Sequence, residues 1–336
     1  MKRYAYFDNA KLLLIFLVVF GHAIQPFTTE AESISTLYTW MYTFHMPAFI
    51  FLAGFFAKGS GNLQYISKLA KQLLVPYLIF QVLYTGYYFL IGKENWLTNH
   101  IFYPHWSLWF LMSLFCWHML LIIYRHLTFA IGIPLALGIG IVVGYFDQIQ
   151  HTFSLSRTFV FFPFFLLGYH VTKEHIQWLK RRTIKAIALL ILITVAIAIY
   201  YLPDINSGWL LASKSYSTLG VDYFGGIARL AVYGTSILMA ASVLAWVPER
   251  RISITHLGER TLYVYLLHGF FIQYFREMEL FFVKDIFGLI GIAFVSAMIV
   301  YLLSSRVVMT IAQPFIEIST SRFQQLLQHF RRLLNV

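Results

Sequence analysis

Apolar stretches long enough to cross a lipid bilayer recur from one end of this chain to the other, and that recurrence leaves few folds open. Segments of roughly 17 to 25 apolar residues are candidate spanning helices. Ten fit, at about residues 10–28, 38–57, 73–92, 106–124, 128–145, 157–172, 185–202, 226–247, 260–276 and 280–304. Lipid offers the backbone no hydrogen-bond partner, so each segment must satisfy its own peptide groups as a helix. The expected fold is an all-α integral membrane protein, a bundle of about ten transmembrane helices. Only 12% of the residues are charged, against about 25% in a soluble domain, so a separate soluble domain has little room. The first stretch is followed by no small-residue cleavage site and reads as a retained span rather than a signal peptide. The short sixth segment holds Pro163, where a kink is expected.

Ten spans place both termini on one side, and the charges choose the side. The N-terminus carries Lys2, Arg3 and Lys11, and the following loops on that side carry Lys58, Lys68, Lys71 and Arg125. Lys173, Lys180, Arg181, Arg182 and Lys185 follow, then Arg250, Arg251 and Arg260, and the tail adds Arg306, Arg322, Arg331 and Arg332. The opposite loops hold only Lys93, Arg157, Lys214, Arg276 and Lys284, with most of the carboxylates, among them Glu30, Glu32, Glu94, Asp204, Glu277 and Glu279. By the positive-inside rule both termini are cytoplasmic. The chain divides into a transmembrane domain over 1–305 and a tail over 306–336. In that tail Phe315, Ile318, Phe323, Leu326, Leu327, Phe330 and Leu334 interleave with Arg and Gln, the spacing of an amphipathic helix on the inner surface.

The net charge of +11 follows from these basic inner loops, so no nucleic-acid partner is expected; the partner that composition demands is the bilayer. The single cysteine, Cys116, excludes an intrachain disulfide and reads as a small core residue.

Against this apolar background the titratable residues stand out. On the first span Lys11 precedes His22 by eleven residues, about 20° from whole turns and roughly 16 Å along the axis. Asp8 lies three residues before Lys11 and can pair with it. A histidine at such depth is costly and marks a polar pathway or a reaction site, where an unprotonated imidazole can act as a base towards a hydroxyl. On the residues alone, Lys11 serves equally as an inner-surface anchor and His22 as a packing residue.

His45, in Phe44-His45-Met46-Pro47, falls at similar depth on the second span, so the two histidines could line one cavity. They have no clear third ligand, and no metal is expected. Lys68 and Lys71 precede the third span and can point together at a cytosolic anion; an ordinary inner-loop pair fits them as well. His105, Trp106 and Trp109 open the fourth span, as interface anchors or as faces for a sugar ring. His268, in Tyr263-Val264-Tyr265-Leu266-Leu267-His268-Gly269, lies about eight residues from the inner end of its span, shallower than His22.

Taken in order, these residues resemble the acyltransferase-3 family of membrane acyltransferases, in particular its fucose 4-O-acetylase-like branch. The opening with Phe7, Asp8, Lys11, Gly21 and His22 is similar to the family's first helix. Phe44 to Gly54, the basic pair before Pro76-Tyr77, Trp109 to Leu111, Phe164 to Tyr169 and Tyr263 to His268 continue the match. Lysines stand here where the wider family often has arginine, which removes bidentate phosphate contacts. The hydrolase-like C-terminal domain of some relatives is not found.

The resemblance implies a multi-pass plasma-membrane enzyme, bacterial, moving an acyl group, expected to be acetyl, from cytosolic acyl-CoA to a hydroxyl of an extracytoplasmic or lipid-linked glycan. His22 would be catalytic, with Asp8 and His45 in support. Lys11 would belong to the catalytic set and lie on the acyl-CoA path, and Lys68 and Lys71 would meet coenzyme A phosphates; His105, Trp106 and Trp109, as aromatic faces for a sugar ring, are the expected acceptor contacts. Acetyl-CoA is then the co-substrate, and glycan-synthesis proteins are candidate partners. A rival of another class is a glycan or lipid-linked sugar transporter with a histidine proton relay. No inverted halves or paired broken helices favour it.

Overall fold

The computed structural model describes residues 4–57, 61–93, 103–149, 154–201, 205–281, 283 and 285–317. Of the charges used above, Lys2, Arg3, Lys58, Glu94, Asp204, Lys284, Arg322, Arg331 and Arg332 lie outside these residues.

Helices cover all ten apolar segments, two of them on the second, and the described residues form fourteen α-helices. In chain order they are α1 (Ala5–Ile24), α2 (Glu32–Tyr42), α3 (His45–Phe55), α4 (Leu63–Leu90), α5 (Trp109–Tyr124), α6 (Phe129–Val142) and α7 (Leu155–His170). Then come α8 (Lys173–Leu179), α9 (Arg182–Tyr201), α10 (Gly208–Leu211), α11 (Gly225–Trp246), α12 (Thr261–Glu277), α13 (Ile286–Leu303) and α14 (Arg306–Ile316). Among the described residues five helical stretches are long and apolar enough to cross a membrane: Ala5–Thr29, Leu63–Leu90, Arg182–Tyr201, Gly225–Trp246 and Ile286–Leu303. The bundle is apolar outside as well as inside. On α9 only Ala188 is buried, while Ile187, Leu190, Ile193 and Ile197 are exposed; Ile290, Phe294 and Met298 do the same on α13. Faces of this kind are stable only against lipid, and the chain is a multi-pass membrane protein.

The second segment is not one helix, as its hydropathy predicts, but two. Pro47 has no N–H to give the carbonyl four residues back, that of Thr43, and its ring crowds that turn. The helix stops at Tyr42 and restarts at His45. The Thr43 hydroxyl donates to the Trp40 carbonyl at 2.7 Å, and His45 Nδ1 donates to the Met41 carbonyl at 2.9 Å. The break is thereby satisfied locally, as backbone at membrane depth must be. Pro163, by contrast, sits inside an uninterrupted α7.

Two glycines let α3 and α7 touch backbone to backbone. A Cβ on Gly54 would lie 1.9 Å from the Phe165 carbonyl oxygen, and one on Gly168 would lie 1.9 Å from that of Phe51. Small residues at such crossings give lipid-embedded helices their packing energy. Gly168→Ala should therefore destabilise the protein by about 1–3 kcal/mol or more through overpacking. A lowered melting temperature in detergent checks this; a melting curve superimposed on wild type contradicts it.

The loops sort into two ends. At one, the Asn9 side chain donates to the Pro248 and Arg250 carbonyls at 2.9 and 3.0 Å and accepts from Thr255 Oγ1 at 2.7 Å. There too Lys180 Nζ donates to the Leu244 and Ala245 carbonyls, a cation on the carbonyl end of α11. At the other end Lys93 pairs with Glu277 at 3.2 Å, and Arg276 reaches Gln25 at 2.8 Å. The first end gathers the loops rich in Lys and Arg, the second those rich in carboxylates. α14 begins at a Ser305 cap whose hydroxyl accepts from the Val308 N–H. The expected tail residues Ile318, Phe323, Leu326, Leu327, Phe330 and Leu334 lie outside the described residues.

Candidate active site

α1 runs through the middle of the bundle, packed on α2, α3, α12, α13 and the 3-10 turn Thr255–Arg260. It carries Asp8, Lys11 and His22. The pairing expected from the three-residue spacing is present: Lys11 Nζ lies 2.7 Å from Asp8 Oδ1, and the carboxylate is buried. The ammonium is thus shared with Asp8 at the basic end of the helix.

His22 sits at the far end of α1 within a cluster of rings. Its imidazole centroid lies 4.2 Å from the Trp106 ring and 5.7 Å from that of His268, the two imidazoles nearly parallel at 21°. Nδ1 of His22 is shielded from solvent and has no hydrogen-bond partner among the described residues. A buried polar atom left unmatched costs free energy, and in an enzyme it is a natural place for substrate to bond.

His268 is deeper than the count of residues along its span suggests. The 3-10 turn before α12 explains why: Gly258 packs directly on the Asp8 backbone, so the descent begins before residue 261 and rises about 2.0 Å per residue until α12 starts. His268 Nδ1 donates to the Val264 and Tyr265 carbonyls at 3.0 and 2.7 Å. That bond places the proton on Nδ1 and leaves Nε2, which has no partner among the described residues, as an acceptor. Glycines flank both histidines and make the room. A Cβ on Gly21 would lie 3.0 Å from the Tyr42 ring, and one on Gly269 would lie 3.0 Å from the Trp106 ring and 2.3 Å from the Tyr84 hydroxyl.

Trp106 occupies a left-handed backbone, φ +31°, a conformation that costs of order 1–3 kcal/mol and persists only where its surroundings enforce it. Three bonds do so. Gln81 of α4 accepts from the His105 N–H at 3.0 Å and donates to the Tyr103 carbonyl at 2.9 Å, and the Tyr265 hydroxyl donates to the Ser107 carbonyl at 2.6 Å. His105 itself bonds Thr85 through Nε2 at 2.8 Å and lies edge-on to Tyr88. Its side chain faces α4 rather than His22. Trp109 stacks on Phe161 at 5.5 Å beneath Arg157. Of the three residues expected to face an acceptor, only Trp106 is brought against His22.

His45 joins the cluster through Tyr42, whose ring lies 4.3 Å from its own and, as above, against Gly21. Lys68 and Lys71 are exposed together at the basic end of α4. With Gln64, Ser67, Gln72 and Glu317 they line an open pocket of about 630 Å³. Glu317 is held there by the Tyr263 hydroxyl at 2.6 Å and by Gln313. Among the described residues no three His, Cys, Asp or Glu side chains group to hold a metal ion.

Sequence reasoning missed Arg276 by counting it among the loop charges. It lies in the last turn of α12, eight residues and about two turns beyond His268. Nη2 donates to the His22 backbone carbonyl and, at 2.8 Å, to Gln25 Oε1, while the guanidinium lies 5.5 Å from the Trp106 ring centroid. Arg276 therefore holds the end of α1 and the indole that covers His22 together. The available signal was a guanidinium two turns beyond a histidine on an apolar helix.

Residues 4–309 match the acyltransferase-3 family, described as an acyltransferase domain. The chain is 25% identical over 303 residues to the nodulation protein NolL of Mesorhizobium japonicum, covering 82% of this chain and 77% of the relative. It is 24% identical over 294 residues to the nodulation protein NolL of Sinorhizobium fredii, covering 78% and 76%. No solved structure matches it. With the family profile spanning nearly its whole length, the chain belongs to the acyltransferase-3 family and is a membrane acyltransferase.

Proposed function

We propose that this chain is an O-acetyltransferase of a bacterial plasma membrane, with ten spans and both termini cytoplasmic, that passes acetyl from cytosolic acetyl-CoA to a glycan hydroxyl on the outer side. The observation that carries the reading is His22: an imidazole with an unbonded Nδ1, packed on Trp106 and His268 below Arg276. The sorting of basic loops to one end and carboxylates to the other supports the orientation. The family motifs support the donor, and the rhizobial relatives support the bacterial origin.

In this reading coenzyme A approaches from the basic end. Lys68 and Lys71 meet its phosphates as point charges, and Lys11, tethered by Asp8, lines the way inward. Roughly 16 Å separate Lys11 from His22 along α1, a reach that suits an extended pantetheine arm. His22 takes the proton of the acceptor hydroxyl as its oxygen bonds to the thioester carbonyl carbon. The tetrahedral adduct then breaks its C–S bond, and the thiolate leaves with the proton held on His22. Arg276, beside the reacting imidazole, supplies positive charge as the oxyanion develops. Trp106 covers one face of the imidazole, and His45 supports the cluster through Tyr42.

The double variant Lys68→Ala/Lys71→Ala should raise KM for acetyl-CoA about tenfold through the loss of charge-assisted phosphate contacts, with kcat falling less than KM rises. Steady-state kinetics of the reconstituted protein check it. An unchanged KM removes the pair from the donor path. The reading as a whole is tested by radiolabelled acetyl transfer from acetyl-CoA to membrane glycans, which wild type should support and which inactive His22 variants should not.

A further inference from the structure

Two cavities open at the carboxylate-rich end, around the turn that follows α1, and they share one lining residue. The first, about 460 Å³, lies between the Gln25–Thr29 turn and the end of α12, lined by Phe27, Glu30, Phe275, Arg276, Glu279 and Phe281 among others. Its Arg276 bonds the His22 carbonyl. The second, about 670 Å³, lies over α2 and is lined by Thr28, Glu30, Glu32, Ser35, Tyr38 and Thr39 among others. Its Tyr38 stacks on Tyr42 at 3.9 Å, and Tyr42 packs on Gly21, next to His22. Glu30 lines both. His22 itself lines neither; each cavity is joined to it through intervening side chains, Arg276 for the first and Tyr38 with Tyr42 for the second.

The lining says what would fit. Each cavity is in the range that holds a drug-sized ligand, larger than one sugar ring. The first combines aromatic faces with carboxylates and a guanidinium. The second is lined by Thr28, Ser35 and Thr39, by the Tyr38 ring and by two carboxylates, an array matched to a polyol. Among the described lining residues carboxylates outnumber cations in both, so an acidic sugar would meet like charge that costs it affinity. Arg276 Nε and His22 Nδ1 are both shielded and without a hydrogen-bond partner among the described residues.

We propose that the two cavities form one acceptor groove for a glycan of at least two sugar residues that bears no acidic group, with Glu30 bridging the two subsites. The inference rests on the acyl-transfer reading above and adds the acceptor's size and charge class. Ring faces lie on Phe27 and Phe275, hydroxyls bond Glu30 and the α2 hydroxyls, and one hydroxyl is presented to His22.

The test uses membrane vesicles carrying the full chain, radiolabelled acetyl-CoA, and the vesicles' own glycans as acceptor. The quantity read is label transferred to glycan divided by label released as free acetate, since water needs no groove. Ser35→Trp fills the second cavity and Glu30→Ala removes the bridging acceptor. Each should lower that ratio about tenfold, the scale of a lost hydrogen bond to a charged group. A variant that merely misfolds lowers transfer and hydrolysis together. A ratio unchanged in both variants overturns the groove. Labelled saccharides, released and separated by charge, should elute with the neutral or cationic fraction as oligomers; label on anionic fragments or on single sugars overturns the class assigned. Wild-type vesicles that neither transfer nor hydrolyse would remove the acyl-transfer reading itself, and this inference with it.

Discussion

Replacing His22 by alanine should lower acetyl transfer by about 10²–10⁴-fold, the usual worth of a positioned general base. The loss falls on kcat, because the imidazole acts on the hydroxyl only as the new bond forms. The fold should survive. His22 is partly buried, its Nδ1 makes no hydrogen bond within the described structure, and the bonds that fix this end of α1 run through its backbone carbonyl to Arg276. His22→Gln should be as inactive as His22→Ala, since an amide offers hydrogen bonds but no proton-accepting nitrogen. Kinetics on detergent-purified variants with wild-type melting temperature check this. Activity within threefold of wild type in both would remove His22 from the chemistry.

Arg276→Ala should cost about 10²-fold in kcat, the scale expected when reacting groups are displaced by about an ångström. One guanidinium fastens three things: the last turn of α1, the Gln25 side chain and the Trp106 ring. Removing it frees Trp106 to shift from His22 and takes away a positive charge at the His22 end of α1. Arg276→Lys should recover part of the charge effect but not the two-point hold, because an ammonium cannot reach both oxygens in the fixed plane of a guanidinium. The expected order is wild type, then lysine, then alanine. Equal kcat in all three would mean that Arg276 is only a surface charge. A parallel loss in Trp106→Ala would place both residues in one unit.

How much of this was legible in the sequence varied by element. The positions of the helices were, because lipid forces each long apolar run to close its own hydrogen bonds, and the Asp8–Lys11 pair followed from spacing alone. The break in the second span was not, although Pro47 is its cause. Hydropathy averages over a window and does not register one missing N–H. His268 appeared too shallow because depth was counted from the start of an apolar run, whereas the chain starts inward in the 3-10 turn Thr255–Arg260. Trp106 was recognised by type, but its contact with His22 depends on a left-handed residue pinned by Gln81 and Tyr265. Those partners are distant in sequence, and no local pattern names them. His105 carried the same ambiguity and resolved the other way, onto Thr85 and Tyr88. Arg276 escaped because charge counting treats every cation beyond a span as loop, while this one turns back to bond the carbonyl of His22.

The central claim is transfer through the membrane, with the donor on the basic side and the acceptor on the other. The most direct measurement uses sealed proteoliposomes of known orientation, with radiolabelled acetyl-CoA supplied at only one face and glycan at only the opposite face. Labelled glycan is expected when acetyl-CoA meets the face that carries Lys68 and Lys71, and none with the two solutions exchanged or with His22→Ala. Label appearing only when donor and acceptor share one face, or appearing equally with His22→Ala, would contradict that claim.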